Sequence, residues 1–182
     1  MEPVVTVSDA AMAVSAPDDA AREFEAWFQS HYVRLARLVY RVVGDRDRAE
    51  EIAAEAFWRL HRTPLRRNDN PPGWLCRTAL RLALDVLKKE RRRARYEALA
   101  GLFGAAANPE HLAQQSEDRR RVRQVLAALK PSHASVLLLR SDGCSYADIA
   151  SALRVKSGSV GTLLARAEAA FRKEYVKRHG KQ

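Results

Sequence analysis

Apolar residues along this chain recur three and four positions apart, and no stretch alternates apolar with polar residues as a half-buried strand does. The pattern predicts an all-α protein. Phe24, Phe28, Leu35, Leu38, Val39 and Val42 mark one long helix or two short ones, ending at Gly44, which suits a helix C-cap. Asp47 with Glu50 offers an N-terminal cap for a second helix. Its buried stripe is Ala49, Ile52, Ala53, Ala56, Phe57 and Leu60, and Pro64 stops it. Residues 63–72 form a turn-rich loop whose Pro72 is placed to start a third helix. Trp74, Leu75, Thr78, Ala79, Leu82, Ala83, Val86 and Leu87 give that helix a core face.

Residues 96–115 turn to Ala, Gly and short polar side chains without a sustained stripe, which reads as a flexible interdomain linker. Ser116 is placed to cap a helix bearing Val122, Val125, Leu126 and Leu129. Pro131 breaks it, and a short apolar helix through Val136 and Leu137 leads to Gly143. Next, Ser145 and Asp148 make a capping pair for a helix whose face is Tyr146, Ile149, Ala150 and Leu153. After a break, Val160, Leu163, Leu164, Ala167 and Phe171 rebuild a stripe and leave Ser157, Ser159, Thr162, Ala165 and Arg166 outward. Helix, break and helix read as a helix-turn-helix that contacts nucleic acid; an ordinary helical hairpin is the plainer alternative. The predicted organisation is a disordered tail over 1–17, a helical domain over 18–95, the linker, a second helical domain over 116–176, and a short tail over 177–182.

Charge strengthens the nucleic-acid reading. The 182 residues carry 32 Lys plus Arg against 22 Asp plus Glu, a formal net charge of +10, the balance of a partner for polyanions. No run is long and apolar enough to insert in a membrane, and the N-terminus lacks a basic segment ahead of its apolar stretch, so a cytoplasmic location is expected. Cys76 and Cys144 are the only cysteines and lie in different halves, so they are read as two buried thiols. The five scattered histidines lack metal-ligand spacing. Neither a metal nor a cofactor is expected. No nucleophile with a neighbouring base, paired carboxylates or Gly-rich phosphate loop suggests an enzyme.

Three constellations carry chemistry. From Gly73 to Arg95 the third helix holds eight cations (Arg77, Arg81, Lys88, Lys89, Arg91, Arg92, Arg93 and Arg95) against Asp85 and Glu90. With the Trp74 indole near its start, it can line phosphates along one strand and stack on an exposed base, although a charge run can equally be a solvated face. The recognition helix is only weakly basic, with Lys156 just before it, Arg166 on it, and Ser157, Ser159 and Thr162 at its tip, so it needs a second source of affinity. Asp47, Glu50, Glu51 and Glu55 on the second helix form an acidic face that DNA would repel. A basic protein partner fits it; helix-terminus electrostatics is the simpler account.

Taken in order, these residues resemble an extracytoplasmic-function (group 4) sigma factor of the sigma-70 family, over roughly residues 22–175. Gly44-Asp45, Arg48 through Ile52 and Glu55-Ala56-Phe57 resemble the polymerase-binding part of region two. Trp74-Leu75, Ala79, Leu82 through Asp85 and the basic tail resemble its promoter-melting and −10-reading part. Leu129-Lys130-Pro131, Val136 through Arg140, Gly143, Ser145-Tyr146, Ile149-Ala150 and Val160 through Ala167 resemble region four, which reads the −35 element. The resemblance implies two small helical domains on one core RNA polymerase. Region two would lie against the β′ subunit through Asp47, Glu50, Glu51 and Glu55, and region four against β. With these roles, the basic third helix places Trp74, Arg77, Arg81, Lys88, Lys89 and Arg92 at −10 DNA, and the tip of the helix-turn-helix places Lys156, Ser157, Ser159, Thr162 and Arg166 at −35 DNA, where the family's own contacts do not carry over residue by residue. An anti-sigma factor, if one acts, is another chain. Three positions depart from the family pattern: Arg81 stands for the usual Asn, Ala54 for Gln, and Gly161-Thr162-Leu163 for Lys-Ser-Arg. The rival readings are a free-standing helix-turn-helix regulator and a sigma-like protein that only sequesters a partner.

Overall fold

A computed structural model describes residues 17–63, 70–99 and 117–180, and these are helical with no strand among them. Helix α1 runs unbroken over Pro17–Val43. It ends because Gly44 takes a φ of 77°, donating its N–H to the Tyr40 carbonyl. Helix α2 spans Arg46–His61, and its N-cap is Asp45, whose carboxylate accepts the Arg48 N–H at 2.7 Å. Asp47 therefore lies inside the first turn and does not cap it, contrary to expectation. The predicted stripe of α2 is buried as expected, with Phe57 met by Phe24, Phe28 and Tyr32 of α1 in edge or tilted ring contacts.

Helix α3 covers Pro71–Leu99 and so begins one residue before Pro72. Asn70 organises its start: the side-chain oxygen accepts the Gly73 N–H at 3.0 Å and the carbonyl accepts that of Trp74. The helix continues four residues into the segment read as linker, the rest of which lies outside the described residues, as does Ser116. Its burial is wider than one stripe. Leu80 and Leu84, absent from the predicted face, are buried with Leu75, Ala79, Ala83 and Leu87, and α3 packs on α1 and α2 and also on the second half of the chain.

That second half consists of α4 over Glu117–Leu126, α5 over Pro131–Ser141, α6 over Tyr146–Leu153, a 3-10 turn over Ser157–Ser159, and α7 over Val160–His179. Helix α7 thus runs three residues into the predicted C-terminal tail. Pro131 opens α5 at N1. The predicted cap of α6 is a full capping box: Ser145 Oγ accepts the Asp148 N–H, and Asp148 Oδ2 accepts the Ser145 N–H, both at 3.1 Å. Tyr146 departs from its predicted core role, being exposed with the Arg140 guanidinium 5.7 Å from its ring centroid. One hydrophobic core runs through both halves.

Candidate nucleic-acid interface

The first turns of α3 lie against α6, the first helix of the helix-turn-helix. An added Cβ at Gly73 would stand 3.0 Å from the Ala152 Cα, so the two backbones approach closely enough that a side chain there would push α6 back by a few tenths of an ångström. Around that contact Asn70 Nδ2 donates to Ser151 Oγ at 2.8 Å, and Arg77 Nη1 donates to the Ala152 carbonyl at 3.2 Å. Trp74 is half-buried and shares a surface pocket with Asn70, Arg77, Ala150, Ser151, Arg154 and Val155. The indole and the first arginine of the proposed DNA row therefore face the helix-turn-helix in this arrangement. Arg81, Lys89 and Arg92 are exposed farther along α3 and Lys88 is half-buried, so the basic row is split between a covered start and an open tail.

The other nucleic-acid candidates are open to solvent. Arg154 ends α6 with a φ of 55°, a left-handed turn that sets the angle between the two helices of the motif. Lys156, Ser157, Ser159, Thr162 and Arg166 are all exposed at the turn and on α7, while Val160, Leu164 and Ala167 hold that helix in the core. Leu163 is half-buried against the same core, so this departure from the family pattern is part of the packing.

On α2, Asp47 and Glu51 are exposed and Glu50 and Glu55 half-buried. Three of the four are paired within the helix: Glu50 with Arg46 at 3.0 Å, Glu51 with Arg48 at 2.6 Å and Glu55 with Arg59 at 2.7 Å. The face is thus a mesh of both signs with acidic tips. Trp58, which pattern reading did not single out, follows Glu51, Ala54 and Glu55 at helical spacing. It is 53% exposed, with the Arg62 guanidinium 4.6 Å from its ring centroid.

The contact between halves has an ionic centre that sequence reasoning also missed. Asp142, at the C-terminus of α5, keeps only 9% of its side chain exposed; its carboxylate meets Arg34 Nε at 3.1 Å and Arg41 Nη2 at 3.4 Å, both from α1. Arg41 also donates to the Ser141 carbonyl, and on α3 Arg91 donates to that of Ala127. Partners 36 to 108 residues apart leave no local signal.

Two family models match the chain in this same order, Sigma-70 region 2 over residues 18–93 and Sigma-70, region 4 over residues 119–171. The chain belongs to the sigma-70 family. Among curated relatives it is 32% identical over 162 residues to the ECF RNA polymerase sigma factor SigE of Mycolicibacterium smegmatis, covering 85% of this chain and 62% of that protein. It is 31% identical over 150 residues to the probable ECF RNA polymerase sigma factor SigI of Mycobacterium tuberculosis, covering 78% and 51%. A third relative is the ferric citrate uptake sigma factor FecI of Escherichia coli, 28% identical over 160 residues, covering 86% and 92%. These relatives place this sigma-70 family chain in the extracytoplasmic-function group, although it spans only about half to three-fifths of the length of the first two. Region 2 corresponds to α1 through α3, and region 4 to the helices from α4 onward. Among the described residues no helix is long and apolar enough to cross a membrane.

Proposed function

We propose that this chain is an RNA polymerase sigma factor that directs promoter recognition and transcription initiation. The observation that carries the reading is the joint presence of a region 2 helical unit with a basic, tryptophan-headed α3 and a region 4 helix-turn-helix with an open, hydroxyl-lined tip. Core polymerase is engaged through Asp47, Glu50, Glu51 and Glu55, whose acidic tips suit a cationic surface on β′, while region 4 meets β. Trp74, Arg77, Arg81, Lys88, Lys89 and Arg92 take the −10 DNA, the indole stacking on an unpaired base and the cations lying on phosphates. Lys156 and Arg166 hold −35 phosphates, and Ser157, Ser159 and Thr162 touch base edges or backbone. Trp74 and Arg77 reach DNA only after α6 leaves α3, so polymerase must hold the two halves apart. Run-off transcription with core polymerase on a randomised promoter library tests the reading. Initiation at a recurring −10/−35 pair is expected. Specific DNA binding that needs no polymerase would favour a free-standing regulator, and polymerase binding without any promoter-dependent transcript would favour a sequestering protein.

A further inference from the structure

We propose that Cys76 and Cys144 are a redox pair, oxidised by hydrogen peroxide to a disulfide that fastens region 4 to α3. One thiol belongs to each half, 68 residues apart in sequence, yet both line a single cavity of about 170 Å³ between the halves, together with Arg34, Asp142 and Gly73. Neither has a disulfide partner at present. Both walls of the cavity are held. Cys144 follows the left-handed Gly143 and is fixed by its N–H bond to the Leu139 carbonyl, while Cys76 lies one turn after Gly73, where α3 and α6 come to backbone contact. Arg34, gripped by Asp142, also extends Nη2 to 3.7 Å from Cys144 Sγ.

This setting orders the chemistry. Burial pushes the Cys76 thiol up to about 11, with the charge of Cys144 adding to the effect. Burial also raises Cys144, with Asp142 and Asp148 adding to the rise; the Arg34 charge opposes it at both thiols, and at Cys144 the guanidinium also hydrogen-bonds the sulfur, favouring that thiolate as the attacker. Cys144 thiolate attacks one peroxide oxygen: an S–O bond forms, the O–O bond breaks, and the departing hydroxide leaves as water after taking a proton, giving a sulfenic acid. Cys76 sulfur then attacks Cys144 sulfur, forming S–S as the S–O bond breaks. Hydroxide again leaves as water, taking the Cys76 proton. Two thiols and one peroxide become one disulfide and two waters, and the two electrons lost by sulfur are those gained by peroxide. A thiol reductant reverses the change. The bond would hold Trp74 and Arg77 under α6. That consequence rests on the reading of α3 as a DNA-binding helix, but formation of the bond does not.

The test treats the full chain with hydrogen peroxide, alkylates it, digests it without reductant and weighs the peptides. The expected product is a linked peptide pair carrying Cys76 and Cys144, lighter by two hydrogens than the sum of the free peptides, with titratable thiols falling from two per chain to none. Cys76→Ser should leave a Cys144 sulfenic acid that dimedone traps. Asp142→Asn, which loosens the grip of the halves, should slow linkage several-fold. Two titratable thiols surviving peroxide that fully oxidises free cysteine would overturn the proposal, and so would disulfides only between chains. Because mass is the readout, these outcomes hold whatever the chain does at a promoter.

Discussion

Trp74 answers to two surfaces with one side chain: it is half-buried against α6 here, and it heads the helix proposed to open DNA. Base stacking on an aromatic ring is worth roughly 1–3 kcal/mol, enough to govern strand opening without governing duplex binding. Trp74→Ala should therefore reduce permanganate reactivity of −10 thymines more than it reduces closed-complex formation; equal losses would make the indole a packing residue only. Ser145 gives a second prediction at this scale. Removing its hydroxyl from the capping box should cost about 1 kcal/mol, read as a lower urea midpoint with unchanged slope. Its partner Asp148 is held below the ordinary carboxylate range, chiefly by the Ser145 side-chain hydrogen bond and then by the backbone one. A depressed carboxyl stabilises the fold above its unfolded pKa and loses that contribution as pH falls through the folded value, so the Ser145→Ala difference should shrink in acid. Capping residues such as Ser145 and Gly44 were legible in sequence because their chemistry is local. The true cap of α2 was not, since Asp45 and Asp47 both offer a carboxylate and only backbone geometry chooses between them.

Among the elements, α2 and α7 were readable from period alone, each having one buried face. Helix α3 was not. Leu80 and Leu84 looked surplus to a single stripe, and α3 packs on helices of both halves, a second surface made by residues far along the chain. On α2 the internal pairs with Arg46, Arg48 and Arg59 are exposed and worth little to stability, so charge reversal there reads partner binding more cleanly than folding. Glu51→Lys with Glu55→Lys should abolish assembly with core polymerase while helical circular dichroism stays unchanged; unchanged assembly would return the acidic face to helix-terminus electrostatics. For the recognition helix, Lys156→Ala and Arg166→Ala should weaken −35 binding across all sequences and flatten its salt dependence. Ser159→Ala and Thr162→Ala should instead shift base preference, by about 1 kcal/mol or less for each neutral hydrogen bond lost. Footprinting the holoenzyme on promoter variants separates the two behaviours.

At the scale of the whole molecule, two helical units joined by a linker were expected, but their mutual docking was not, because Asp142, Arg34 and Arg41 find one another only in three dimensions. Asp142→Ala removes the acceptor that two guanidinium groups share. It should shift the chain toward open forms, seen as a larger radius of gyration in small-angle scattering, while the cores within each half survive; an unchanged radius would mean that the apolar contacts hold the halves by themselves. Gly73 and Ala152 meet at the start of α3, beside Trp74 and Arg77. If α3 takes −10 DNA as proposed, α6 and promoter DNA compete for one surface of α3, and because α6 belongs to the same chain it acts as an inhibitor that dilution cannot remove. If closing has an equilibrium constant K, the apparent affinity of α3 for DNA falls by a factor of 1 + K, about tenfold for each 1.4 kcal/mol of closure. Whatever separates the halves returns that factor in full, so a polymerase that spreads them raises DNA affinity without touching the DNA.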